Sequence, residues 1–63
     1  MIPKKVIENL VENDVYIYVK NVNKEFAGKI NAVTDADIVV LEDKNSNLVN
    51  IPISEISVIT ERR

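Results

Sequence analysis

The sequence predicts a mainly β domain, a small and strongly bent barrel of five short strands with one N-terminal α-helix, and three observations predict it. Nine Ile and ten Val stand against three Leu. Nearly a third of the chain is therefore β-branched aliphatic, the residue class whose stiff side chains suit a pleated, half-buried surface. From Val15 onward the apolar residues alternate with a period of two, whereas before it they recur at helical spacing. The apolar stretches are short and nearly evenly spaced, broken by turns rich in Asn, Asp and Pro. Such a string closes most economically as a small barrel with the helix over one open end.

Each element has its own signal. The helix is predicted over residues 4–12, where Val6, Ile7, Leu10 and Val11 form one face and Glu8, Asn9 and Glu12 the other. Pro3 suits the first helical position, where a missing N–H costs nothing, and Asn13-Asp14 ends the helix, Asn being tolerated in a left-handed cap. A first strand covers 15–20, with Val15, Ile17 and Val19 opposite Tyr16, Tyr18 and Lys20. Asn21-Val22-Asn23-Lys24 is a turn. The second strand, 25–33, carries Phe26, Gly28, Ile30 and Ala32 on one face. Gly28 is the only glycine in the chain, and a glycine inside a strand marks a bulge, a bend or a close backbone approach, so the curl of the sheet is expected there. After a turn at 34–37, the unbroken run Ile38-Val39-Val40-Leu41 predicts a third strand over 38–42 buried on both faces. An exposed polar loop leads to a fourth strand over 48–51. Pro52 opens a tight interruption at 52–55, and a fifth strand follows over 56–60. There is no internal repeat and no linker, so residues 1–63 are expected to be one domain.

Composition removes several classes of function. A chain of 63 residues buries only about 60% of its unfolded surface, which leaves stability marginal without a staple or a partner. With no Cys and no His there is neither a disulfide nor a thiolate or imidazole zinc site, and the commonest catalytic bases and nucleophiles are missing. Asp35, Asp37, Glu42 and Asp43 include acidic pairs, but the ligand ladder and mid-loop Gly of a calcium-binding loop are absent. A barrel this small also has little room for a cleft that shifts a carboxylate pKa. No enzymatic activity, cofactor, metal or small-molecule substrate is expected. Self-association is the remaining staple.

The formal charge is −2, and residues 14–60 carry four lysines against seven acids. Any nucleic-acid contact must therefore be local rather than a general basic face. No apolar run approaches the roughly 20 residues that cross a bilayer, and the first residues lack the apolar core of a signal peptide. A cytoplasmic protein without membrane contact is expected.

The order of elements and several residues resemble the Sm-like family, which includes the archaeal and eukaryotic Sm and LSm proteins and bacterial Hfq. Phe26, Gly28, Ile30, Val33, Val39, Val40, Leu41, Glu42 and Asp43 fall in step with the first Sm motif without a gap. Val15-Tyr16-Ile17-Tyr18-Val19 is similar to the first strand of Hfq and Ile56-Ser57-Val58-Ile59 to its last. Thr34 stands where the motif usually has Asp, and Ile38 where the Sm branch has an RNA-contacting Asn. Ile51-Pro52-Ile53 replaces the apolar-Arg-Gly of the second motif, and Ile53-Ser54 the Lys-His pair of Hfq. The resemblance implies an SH3-like barrel of the Sm-like fold that keeps the scaffold residues while the usual RNA-reading residues have diverged.

The resemblance also implies where RNA would bind, at two turns that meet around a central pore. Carried over, these are Ala36, Asp37 and Ile38 on one side and Pro52, Ile53 and Ser54 on the other. Neither turn holds an aromatic or Arg on which a base could stack, and Asp35 and Asp37 would repel phosphates. The competing reading makes them ordinary turn residues, Asp being favoured for its local backbone hydrogen bonds. Tyr16 and Tyr18 would serve either as a stacking platform or, as expected here, as packing residues under the helix or against a neighbouring subunit. Lys20, Lys24 and Lys29 form the best local basic group, for phosphate contact or as a solvated edge that discourages aggregation.

Two unpaired edges in so small a sheet invite pairing with another copy. In the family the fourth strand of one subunit pairs with the fifth of the next, and such head-to-tail contacts close into a ring. A hexamer or heptamer built on residues 47–60 and binding single-stranded RNA is thus the leading expectation. Its rivals are a protein-binding barrel that has lost RNA binding and a monomeric SH3-like module.

Overall fold

The element order is α1 (Lys4–Glu8), β1 (Asp14–Val19), β2 (Glu25–Val33), β3 (Ile38–Glu42), β4 (Leu48–Pro52), a 3-10 turn at Ile53–Glu55, and β5 (Ile56–Glu61). This computed structural model describes residues 2–22 and 24–62. Met1, Asn23 and Arg63 lie outside the described residues, and with them one position of the expected 21–24 turn and the last of the charged tail.

All strand pairs are antiparallel, in the order β4-β3-β2-β1-β5. Laid flat, the outermost strands of such a sheet would stand about 19 Å apart, at roughly 4.8 Å per strand spacing. Yet only Ile53–Glu55 separates them in the chain, and three residues of 3-10 helix advance only about 6 Å. The sheet must curl until its two edges approach each other, and its concave face becomes the core. Lys20, just past β1, donates its N–H to the carbonyl of Glu55 at 2.8 Å, which ties the link to the sheet it spans.

Two extra residues supply the curvature. In the β2–β3 pair, Ile30 faces Leu41 and Ala32 faces Val40, so Asn31 is left over; in the β1–β5 pair, Tyr18 faces Val58 and Val19 faces Ile56, so Ser57 is left over. A bulge bends its strand and increases the local twist. It also resets the alternation. Ile30 is buried, Ala32 is exposed and Val33 turns inward, so Ala32 does not share the face of Ile30 as the strict period had predicted. The register thus breaks at Asn31, whereas Gly28 keeps its partner Val15 in the β1–β2 ladder.

Gly28 has a different task. A Cβ there would overlap the Glu42 carbonyl oxygen and lie 3.0 Å from the Glu42 carbonyl carbon and 3.2 Å from the Asp43 Cα. The close approach of β2 to the end of β3 thus requires a residue without a side chain. Beyond that point the hairpin is closed by Asp43, whose Oδ1 accepts the N–H groups of Asn45 and Asn47, each at 2.9 Å. Ser46 takes the left-handed conformation at φ 66°.

The core consists of Ile7 from α1, Val15 and Ile17 from β1, Ile30 from β2, Val39 and Leu41 from β3, Ile51 from β4, Ile53 from the 3-10 turn and Ile56 from β5. Each element contributes, and no polar side chain among the described residues is buried with them. β3 is not buried on both faces, because Ile38 and Val40 on its outer side are only half covered.

The helix is shorter than its apolar pattern. After Glu8 the bonds tighten to a three-residue span, Leu10 N–H to Ile7 and Asn13 N–H to Leu10, both at 2.9 Å. The left-handed residue is Glu12, at φ 76°, instead of the expected Asn13. Tertiary pairing explains the shift. Glu12 donates to the Ile30 carbonyl at 2.7 Å and Ile30 donates to that of Asn13 at 3.2 Å, and this exchange with β2 requires the chain to turn one residue early.

Two measurements check these assignments. Gly28→Ala is expected to cost about 1–3 kcal/mol, because the obstructing atoms are backbone and cannot rotate away; a denaturation midpoint equal to that of the unaltered protein would show the approach to be loose. The hydrogen bonds from the Asn47 and Asn45 amides hold the Asp43 carboxyl below its ordinary range. A group whose folded pKa is lowered stabilises the fold above its unfolded value, near 3.9, and that contribution is lost as pH falls through the folded value. Acid should therefore unfasten the 43–47 hairpin, read as faster amide exchange at Asn45 and Asn47, and Asp43→Ala should do the same at neutral pH.

Candidate nucleic-acid interface at the meeting of two turns

The turn between β2 and β3 is built by Thr34. Its N–H donates to the Ile38 carbonyl at 2.8 Å, its carbonyl accepts from Asp37 at 3.1 Å, and its hydroxyl accepts the Ile38 N–H at 3.2 Å. The turn thus uses the Thr34 hydroxyl as its side-chain acceptor. Asp37 is set at φ 61°, a conformation that Asp tolerates better than most residues.

The second turn follows β4. Pro52 stands opposite Ile38 in the β3–β4 ladder, and with φ −62° and ψ 136° it leads into the 3-10 turn. The Ile53 N–H then donates to the Asp37 carbonyl at 2.9 Å, while the Ile53 side chain is buried in the core. One backbone hydrogen bond thus fastens the two turns together.

Between them lies a cavity of about 250 Å³ lined by Ala36, Asp37, Pro52, Ile53, Ser54 and Lys4. Five of the six turn residues singled out from sequence meet there; Ile38 sits beside it in β3, half-buried. Lys4 is the residue that sequence reasoning missed. Its Nζ lies 3.1 Å from Asp37 Oδ1, on a helix anchored by Ile7 in the core. Two uncompensated acids in the 34–37 turn below a helix bearing two lysines were the available signal.

The cavity walls are apolar at Ala36 and Pro52. Its polar groups are one ammonium, one carboxylate and one hydroxyl, and no aromatic ring lines it. It can hydrogen-bond the edge of a planar ligand; it cannot stack one against a ring. Among the described residues no group of three His, Cys, Asp or Glu converges as metal binding would require.

The three hairpin lysines do not lie together. Lys24 lies over the Phe26 ring, 4.9 Å from its centroid, and Lys20 is at the same end of the hairpin. Lys29 faces Asp14 across the β1–β2 ladder at the other end, with its Nζ 3.4 Å from Glu12 Oε2. There it lines a larger hollow of about 610 Å³ with Lys44 and Arg62, against Asp14, Glu42 and Asp43. Three positive groups face three negative ones, so this hollow has no single sign to attract a phosphate chain.

Tyr16 lines the same outer hollow, and Tyr18 is exposed. The packing expected for them under the helix is not what holds them, since α1 is tied to β2 instead. The Tyr18 hydroxyl donates to the Glu25 carboxylate, which raises its pKa above the ordinary tyrosine value by favouring the protonated phenol.

A curled antiparallel sheet in the order β4-β3-β2-β1-β5, with an N-terminal helix and a 3-10 link between its edge strands, defines the Sm-like fold. The chain is similar to the crystal structure of the Sm-like protein AF-Sm2 from Archaeoglobus fulgidus, with a TM-score of 0.72 over 98% of this chain and 96% of that one, at 15% sequence identity. No protein-family model matches the chain, and no curated protein matches its sequence.

The Lys4–Asp37 pair is solvent-facing, with side-chain exposures of 35% and 65%. Exposed ion pairs contribute about 0–1 kcal/mol, so Lys4→Met should leave the unfolding midpoint almost unchanged. A large loss of stability would make the pair a structural clasp rather than part of a ligand site.

Proposed function

We propose that this chain assembles into a closed ring of identical subunits, a hexamer or heptamer, and that the ring binds single-stranded RNA in the cytoplasm as a binding protein rather than an enzyme. The observation that carries the reading is the fastening of the 36–38 turn to the 52–54 turn through Ile53 and Asp37. That junction lies where β4 ends and the link to β5 begins, so a ring joined through those strands would gather one cavity per subunit around its axis.

The edges support assembly. Ile51, Ile53 and Ile56 serve the subunit's own core, whereas Leu48 on β4 and Val58 on β5 remain 61% and 49% exposed. β4 and β5 each carry one unpaired side of the ladder. Backbone pairing of β4 with the β5 of a second copy would satisfy both and cover the two apolar side chains. Pro52 has no N–H to donate, so the intermolecular ladder should end before it. The shared fold with AF-Sm2 supports the same reading, and no helix among the described residues is long and apolar enough to cross a membrane.

A second reading, a ring that binds protein, is favoured by one observation. The cation of the cavity is already paired with Asp37, which leaves little net attraction for phosphate. Light scattering and an RNA titration over a salt series decide between the two. A mass of six or seven chains is expected, with affinity for unstructured RNA that falls with salt at a slope of about −0.7 per phosphate neutralised. A ring that binds no RNA at low salt would establish the protein-binding reading, and a monomer would end both.

A further inference from the structure

We infer that the cavity between the two turns selects guanine, through Asp37 as a two-oxygen acceptor and Lys4 as the donor beside it. The inference rests on the RNA-binding reading and adds its base preference.

The argument is one of complementarity. A carboxylate offers only acceptors and an ammonium only donors. Held 3.1 Å apart at the wall of a cavity of about 250 Å³, they present two acceptors next to a donor. Bases in single strands are read along their Watson–Crick edges. Guanine alone presents two adjacent N–H donors, N1 and N2, next to an acceptor, O6. Uracil has one N–H between two carbonyl oxygens, adenine one amino group beside one ring acceptor, and cytosine one amino group beside two acceptors. None of these satisfies both carboxylate oxygens at once.

The acceptor is also pre-positioned. Both backbone polar groups of Asp37 are engaged, its N–H with the Thr34 carbonyl and its carbonyl with the Ile53 N–H. The helix brings Lys4 to it from the other side. Little backbone ordering is then needed on binding, which lowers the cost of making the contact. Ala36 and Pro52, both exposed, supply apolar surface for the faces of the base, which matters where no aromatic ring is available.

The test is fluorescence anisotropy of the full chain in its native assembly with short oligouridines carrying one guanosine, adenosine, inosine or xanthosine. The guanosine oligomer should bind about tenfold tighter than the adenosine or all-uridine one, the discrimination typical of a bidentate contact to a base. Inosine, which lacks the 2-amino group, should lose part of that advantage. Asp37→Asn exchanges one acceptor for a donor at a φ that Asn tolerates, and should move the preference from guanosine to xanthosine, which has a carbonyl at that position. Lys4→Met should weaken guanosine and inosine oligomers alike, since both keep O6. Equal affinity for all four oligomers, or an Asp37→Asn protein that still prefers guanosine, would overturn the inference and leave RNA binding standing. No binding of any oligomer at low salt would remove the RNA reading and this inference with it.

Discussion

A link of three residues between strands at opposite ends of a sheet is the constraint on which the rest of this structure depends. Ile53–Glu55 is too short to cross a flat sheet of five strands, so the sheet has to bend, and the bulges at Asn31 and Ser57 add to that bend. The bend decides which aliphatic residues are core. It also sets the need for glycine at position 28, where β2 comes against the carbonyl of Glu42. Hydrophobic burial supplies most of the driving force for a domain of this kind, but it is the short connection that selects one curved arrangement among many possible β packings.

The same link organises the candidate site. Its first residue is both a core side chain and, through its backbone N–H, the clasp on Asp37. Packing strength is thus transmitted directly to the backbone of Asp37. The larger hollow on the outer face has more charged residues but no comparable clasp, and its opposed charges cancel.

Strands were legible in the sequence because alternation survives local irregularity. Val15 and Ile17 announce their face regardless of what pairs with them, whereas the unbroken apolar run 38–41 announces a strand without showing that only Val39 and Leu41 are buried. The bulge at Asn31 was not legible, since a polar residue on the outer face of a strand looks the same whether or not it has a partner. Ala32 was for that reason assigned to the wrong face. The helix was overextended because Leu10 and Val11 keep the helical spacing while their backbone is already turning toward β2. At the site, the two turns could be named from the Sm-like motif, and their meeting is a backbone contact between residues sixteen positions apart that no local pattern encodes. Lys4 lay further still from Asp37, and such a contact becomes visible only once the barrel end and the helix above it are in place. Lys29 was grouped with Lys20 and Lys24 by proximity in sequence, although a strand as extended as β2 carries it to the far end of the hairpin.

The strand order has a consequence for biosynthesis. β1 to β4 form a meander in which each strand pairs with its predecessor, so these contacts close over short loops at small entropic cost. β5 alone reaches back, pairing Val15 with Glu61 and Ile17 with Ile59. A chain emerging from the ribosome N-terminus first can zip up its meander before its last strand is free. Until then the far side of β1 stays open to solvent, and residues 56–61 are the ones that seal it.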